Sequence, residues 1–174
     1  MLGYRRYIKI VLFSYNFLAY EHSIDKLLEF GISIYDMQKK STSNIHIIVS
    51  DHLHLKNGKF VANNRDKFNF GQSIFLNLKM ALEHVLSVLS TPDSCLIGHN
   101  IKADINFLRN VSSKKLNLPT FDTQLIYKQA TLGENMLSLV RVLDEIGIPH
   151  SNLHNAGNDA YYTLETFKIL AKLL

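Results

Sequence analysis

The chain has 174 residues, 47% of them hydrophobic and 20% charged, with 19 Lys plus Arg against 15 Asp plus Glu. That composition belongs to one compact globular domain with a substantial core, and it excludes a low-complexity, collagenous or disordered polypeptide. A net charge of +4 suits a polyanionic partner without demanding one, and the single cysteine, Cys95, excludes an intrachain disulfide and a cysteine-rich zinc site.

The opening stretch, "MLGYRRYIKIVLFSYNFLAY", has two arginines before an apolar run, a pattern shared with signal peptides. Lys9 and Asn16 interrupt the run and no small-residue cleavage site follows. Ile8, Ile10, Val11, Leu12 and Phe13 instead predict a buried strand over residues 7–17. No stretch approaches the ~20 apolar residues of a membrane span. A membrane is therefore not an expected partner, and the lone thiol suits a reducing, intracellular setting, cytoplasmic or nuclear.

Further strands are expected over residues 27–35 and 45–55, the three forming an antiparallel meander. In the third, Ile45, Ile47 and Val49 alternate with His46, Ile48 and Ser50. His52 and His54 would share a strand face with a chance to bind a transition metal, but no carboxylate or cysteine completes the set. Asn57-Gly58 predicts a tight turn. Beyond it, Phe60, Phe68 and Phe70 are interleaved with Lys59, Arg65 and Lys67. Such a run either stacks on nucleic-acid bases or tucks a long loop onto the body.

From Ser73 the period becomes helical: Ile74, Leu78, Ala81, Leu82, Val85 and Leu89 predict a helix to Ser90. "SCLIGHN" reads as a short buried strand, and Asn100 as the N-cap of a helix with Ile101, Ile105 and Leu108 on one face. "LPTFDTQLIY" offers a short strand and a helix start, residues 137–146 a helix, and the last helix begins near Asn158. Strands first and then strands alternating with helices describe an α/β fold, a mixed sheet flanked by helices, as one domain over residues 1–174.

Two stretches carry candidate chemistry. Asp104 lies beside the apolar stripe of its helix, where a carboxylate is costly unless something pairs with it. A salt bridge to Lys102 or Arg109, water, or a metal ion would each serve. In "HNAGNDA", His154 and Asp159 stand five residues apart, the aspartate at a helix start and the histidine in the loop before it. A loop histidine can hold a water while a carboxylate holds a cation that acidifies it. A carboxylate in a first helical turn is equally explained by the helix dipole.

The order of these pieces is more specific than any of them. "LIGHNIKADINFL" resembles the second motif of the DEDDh exonucleases, "FDT" the strand that follows it, and "HNAGNDAYYTL" the third motif. The central "NGKFVANNRDKFNFGQS" is similar to the insertion of a fungal group of such domains, the "good for full DEAD-box protein activity" group. The resemblance implies a ribonuclease H-like fold, a meander followed by parallel strands. It implies a metal-dependent 3′-to-5′ exonuclease acting on single-stranded RNA or DNA, using Mg²⁺ or Mn²⁺ ions held ~3.5–4 Å apart by carboxylates. Asp104 and Asp159 would then be metal ligands and His154 the residue that orients or deprotonates the attacking water. His99, Asn100, Phe107 and Asn155 would line the nucleic-acid path.

The match departs at the first motif, Asp-x-Glu, where "SYNFLAYE" places Asn16 and Leu18. Asn16 keeps an oxygen without charge and Leu18 keeps neither. The remaining pair of carboxylates predicts weak binding of two dications and a degenerate exonuclease that retains the nucleic-acid cleft. Two alternatives stand beside it: an active nuclease that recruits Glu21 or Glu29, and a protein-interaction module on a pseudonuclease fold.

Overall fold

The computed structural model describes residues 11–111 and 118–172, so residues 7–10 of the expected first strand and Leu174 of the last helical stripe lie outside the described residues. Strands β1 (Val11–Tyr20), β2 (Ser23–Asp36) and β3 (Ser41–Val49) form the expected antiparallel meander. Strands β4 (Ser73–Leu76), β5 (Ser94–Gly98) and β6 (Thr120–Asp122) join in parallel, giving the order β4-β3-β2-β1-β5-β6. The helices are α1 (Leu78–Leu89), α2 (Lys102–Val111), α3 (Thr123–Ala130), α4 (Leu139–Glu145) and α5 (Ala156–Leu170).

Side chains alternate across a strand, and here both faces are covered. On one face Phe30, Ile32, Ile47, Val49 and Leu96 meet α1 through Ala81, Val85 and Leu89 and α2 through Leu108. On the other, Ile97 packs against Leu164 and Phe167 of α5. Burying a large apolar side chain of this kind is worth roughly 1.5–3 kcal/mol, so the central strands read as nearly continuous apolar runs rather than clean alternation. Glycine sets the closeness of α5. A Cβ at Gly31 of β2 would lie 1.8 Å from the Ala156 carbonyl oxygen, and one at Gly157 2.6 Å from the Phe68 ring. The first turn of α5 therefore lies directly on the sheet.

Several expectations are corrected. β3 ends at Val49 and a 3-10 turn follows over Ser50–His52, so His52 and His54 do not share a strand face. Residues 73–76 form β4 rather than the start of a helix. Ile74 and Leu78 keep helical spacing, yet pairing with β3 from His46 to Val49 overrides it, and the Asn77 side chain marks the true helix start by accepting the Met80 N–H at 2.9 Å. Asn57-Gly58 is not a tight turn: the Asn57 side chain is buried and bonded to the β1–β2 hairpin. α5 begins at Ala156, capped by Asn155, whose side chain accepts the Asn158 N–H. Among the described residues no helix is long and apolar enough to cross a membrane.

Candidate functional site

Among the described residues, β5 pairs with β1 only as far as Ser14, which leaves the last six residues of β1 without a described strand neighbour on that side. Asp104 of α2 fills the gap, its carboxylate accepting the backbone N–H of Phe17, the residue between Asn16 and Leu18. It is only 8% exposed and makes no ion pair with Lys102 or Arg109 among the described residues. Burial pushes its carboxyl up to about 7, its own backbone N–H and that of Phe17 oppose the rise, and the charge of Asp122 adds to it. Asp122 itself is the organiser of this corner. Its carboxylate accepts the N–H groups of Asn100, Ile101 and Gln124 at 3.0, 3.1 and 2.9 Å, so it caps α3 and anchors the entry to α2. Asn100, with φ 59°, is the left-handed residue of that entry and not its cap.

The third motif is assembled around the start of α5. Asp159 accepts the backbone N–H of His154 at 3.1 Å, which holds the loop back against the helix, while the exposed His154 ring has no hydrogen bond among the described residues. His154 has φ 63°, a conformation that the carboxylate helps to fix. Burial pushes the Asp159 carboxyl up to about 7, the His154 N–H pulls it down, and the charge of Glu29 pushes it further up.

The first-motif positions sit opposite these groups. In the β1–β2 ladder Asn16 faces Gly31 and Leu18 faces Glu29. Glu29 is 1% exposed, and its Oε2 accepts the Ala156 N–H at 3.1 Å and lies 2.9 Å from His46 Nε2. His46 Nδ1 lies 2.8 Å from Ser73 Oγ. A buried acid thus stands across from the position where the motif lacks one, and it is bonded to a histidine and to the N-terminus of α5, where a negative charge is favoured. Among the described residues no three His, Cys, Asp or Glu side chains are grouped to hold a metal ion. The donor set does not fit a two-ion centre: the positions expected to correspond to the first motif hold an amide and a hydrocarbon, and Glu29 is committed to His46 and Ala156.

The other expected nucleic-acid contacts are placed as follows. His99 bonds Thr123 Oγ1 at 3.0 Å and the Leu137 carbonyl at 2.9 Å, and burial lowers its pKa. Phe107 lies 4.7 Å from the Phe17 ring and 6.4 Å from Phe30, in the core between α2 and the sheet. Asn155 is fully buried and donates to the carbonyls of Asn64 and Arg65. Asn100 alone of the four is exposed.

Sequence reasoning missed a set of asparagines that fasten the long β3–β4 loop to the third motif. Asn158 donates to the carbonyls of Lys67 and Asn152 and accepts the Asn69 N–H, and Asn64 donates to the Leu153 carbonyl. Phe68 packs 5.1 Å from His46, and Phe70 stacks on Tyr161 at 3.7 Å. Arg65 is buried, donating to the carbonyls of Leu53 and Leu55. At the other end of the loop, Glu21 accepts the N–H groups of Lys59, Phe60 and Val61. Glu21 is therefore a loop anchor, not a free carboxylate at the site. The density of asparagine in "ANNRDKFNF" and "SNLHNAGND" was the available signal.

Geometry and comparison agree on the class: an exonuclease-like domain of the DEDDh type. The chain belongs to the family described as DNA polymerase III subunit epsilon-like, C-terminal domain, whose profile matches residues 11–170. It is 29% identical over 198 aligned positions to Good for full DBP5 activity protein 2 of Saccharomyces cerevisiae, covering 91% of this chain and 35% of that protein. It is 30% identical to an uncharacterized nucleolar protein of Schizosaccharomyces pombe, covering 88% of this chain and 65% of the other. The chain thus spans about a third to two-thirds of the curated relatives it matches. Among solved structures it superposes on exonuclease I with a TM-score of 0.65 at 16% identity, covering 94% of this chain and 41% of the other. The zinc-bound E. coli exonuclease I complex with single-stranded DNA gives a TM-score of 0.66, also at 16% identity, 94% and 41% coverage. These likenesses establish the ribonuclease H-like exonuclease fold.

Proposed function

We propose that this chain is a single exonuclease-like domain that binds single-stranded nucleic acid and has lost efficient cleavage. One observation carries the reading: the acid across from Leu18, Glu29, is bonded to His46 and the Ala156 N–H, while Asn16 and Leu18, which align with the first motif, carry no charge. Two dications need compensating negative charge from the protein, and Asp104 and Asp159 alone supply too little. What supports nucleic acid as the partner is the family, the exonuclease I complexes with single-stranded DNA among its fold relatives, and the net charge of +4. An intracellular location accords with the relative described as nucleolar.

A second reading has one observation in its favour: Glu29 lies in the row of Leu18 and its charge reaches Asp159. In that case Glu29 is a relocated metal ligand and the chain trims 3′ ends. The test is incubation of 5′-labelled single-stranded RNA and DNA with Mg²⁺ or Mn²⁺, beside Asp104→Ala as contamination control, and a parallel salt titration of binding. Salt-sensitive binding with intact substrate is the expected result, since phosphate contacts release counterions. A ladder shortening from the 3′ end, absent in the variant, would establish the second reading instead. Absence of binding at low salt would leave a protein-interaction module.

A further inference from the structure

The β3–β4 loop divides its aromatic residues. Phe68 and Phe70 are packed against His46, Gly157 and Tyr161, whereas Phe60 is 70% exposed. Its backbone is nonetheless firmly held. The Glu21 carboxylate accepts three successive N–H groups, from Lys59 at 3.0 Å, Phe60 at 2.7 Å and Val61 at 3.0 Å. Asn57 ties the same segment to the hairpin, accepting the Glu21 N–H at 2.9 Å and donating to the Ala19 carbonyl at 3.0 Å. A phenyl ring displayed in water on an immobilised backbone gains nothing for the core.

The surroundings of the ring indicate what it faces. Lys59 Nζ lies over one face of the ring, 4.9 Å from its centroid, so a base would stack on the opposite face, and the His22 ring lies 6.0 Å away, edge-on. Tyr20 lies 5.1 Å from His22 in turn. The Glu21 side chain is 4% exposed, its oxygens are directed at the loop N–H groups, and its Oε1 lies 3.7 Å from His22 Nε2. Tyr20 ends β1, two residues beyond Leu18, so the cluster continues the strand that carries the first motif.

We infer that Phe60, with Lys59 and His22 beside it, is a stacking platform for one unpaired base of a single-stranded nucleic acid passing beyond the first-motif end of β1. The inference rests on the proposed nucleic-acid reading and deepens it. Every base has a π-face, so a ring in this setting accepts any of them, while the adjacent ammonium meets the neighbouring phosphate. The two contributions differ in salt dependence, because only the cation releases counterions.

The test is fluorescence-anisotropy binding of the 174-residue chain to labelled oligo(dT) and oligo(U) across a salt series. Phe60→Ala is expected to weaken binding about 10-fold with the salt slope unchanged, Phe60→Tyr to preserve it, and Lys59→Gln to reduce the slope by about one unit. Phe60→Trp adds a direct readout, since the chain has no tryptophan. Its emission should be quenched by oligo(dT) and not by an abasic tract of equal length. Unchanged affinity in Phe60→Ala together with unquenched Trp emission, in a chain that binds the oligonucleotides, overturns the platform and leaves the proposed function standing. A parent chain that binds neither oligonucleotide at low salt overturns both.

Discussion

The two sides of the candidate site have been treated differently by the sequence. Around the start of α5, nearly every polar side chain is bonded: Asn155 and Asn158 hold the β3–β4 loop, Asp159 holds the His154 backbone, and Glu29 is shared between His46 and Ala156. Along β1 the side chains at the motif positions are an amide and a hydrocarbon, and Asp104 bonds the strand's backbone at Phe17 instead of a charged partner. Polar side chains are thus densely bonded where they support the fold, while the β1 positions expected to correspond to the first motif carry no charge. Asp104 and Asp159 are left as acids whose desolvation cost is borne by the native state.

That cost gives the largest expected effect. An unfolded aspartate titrates near 4, whereas Asp104 and Asp159 are pushed up to about 7 in the fold. Between those values the folded chain binds the extra protons, so stability should rise as pH falls from about 7 to about 4, by up to roughly 4 kcal/mol for each carboxyl. Denaturant unfolding across pH checks this, and Asp104→Asn and Asp159→Asn should each flatten the profile. Glu21 acts in the opposite sense. Desolvation pushes its pKa up, but the combined N–H bonds from Phe60, Lys59, Val61 and Gly58 win and bring it down to about 2. Its contribution is present above about pH 4.5 and is lost as pH falls towards 2, so Glu21→Gln should remove part of the acid limb.

Asn158→Ala probes the well-bonded side. It leaves the Lys67 and Asn152 carbonyls and the Asn69 N–H without their partner, an expected loss of about 3 kcal/mol. Limited proteolysis should then cut between residues 57 and 71 faster than in the parent. A smaller effect is expected from restoring the motif with Asn16→Asp and Leu18→Glu. The new glutamate would stand directly opposite Glu29, and like charges across a strand pair are destabilising by about 1 kcal/mol. If the missing charge is what prevents metal binding, millimolar Mg²⁺ should raise the melting temperature of that variant and leave the parent unchanged. His154→Asn should change stability by under about 0.5 kcal/mol, since asparagine tolerates its φ of 63° and the ring is exposed.

Much of this arrangement was legible in residue pattern. The carboxylate beside the α2 stripe signalled a buried acid in need of a partner, and the meander followed from three β-rich runs. The partner itself, a backbone N–H exposed where β5 stops short of β1, depends on strand register and left no trace in composition. The same holds for Glu29, whose placement opposite Leu18 requires the β1–β2 ladder, and for Asp122, a cap supplied from a distant strand. Residues 73–76 misled because apolar spacing on a short edge strand is indistinguishable from the first turn of the helix it precedes. His99 and Phe107 were expected at a ligand surface because the motif contains them; their neighbours are Thr123, Leu137, Phe17 and Phe30.

Glu21 grips Lys59, Phe60 and Val61 by their main-chain N–H groups alone. Any residue except proline offers the same handle, so the side chains at this tip can be exchanged without altering the loop's course. The carboxylate is in effect a holder for interchangeable heads, and a new binding preference can be fitted at positions 59–61 while the rest of the molecule stays as it is.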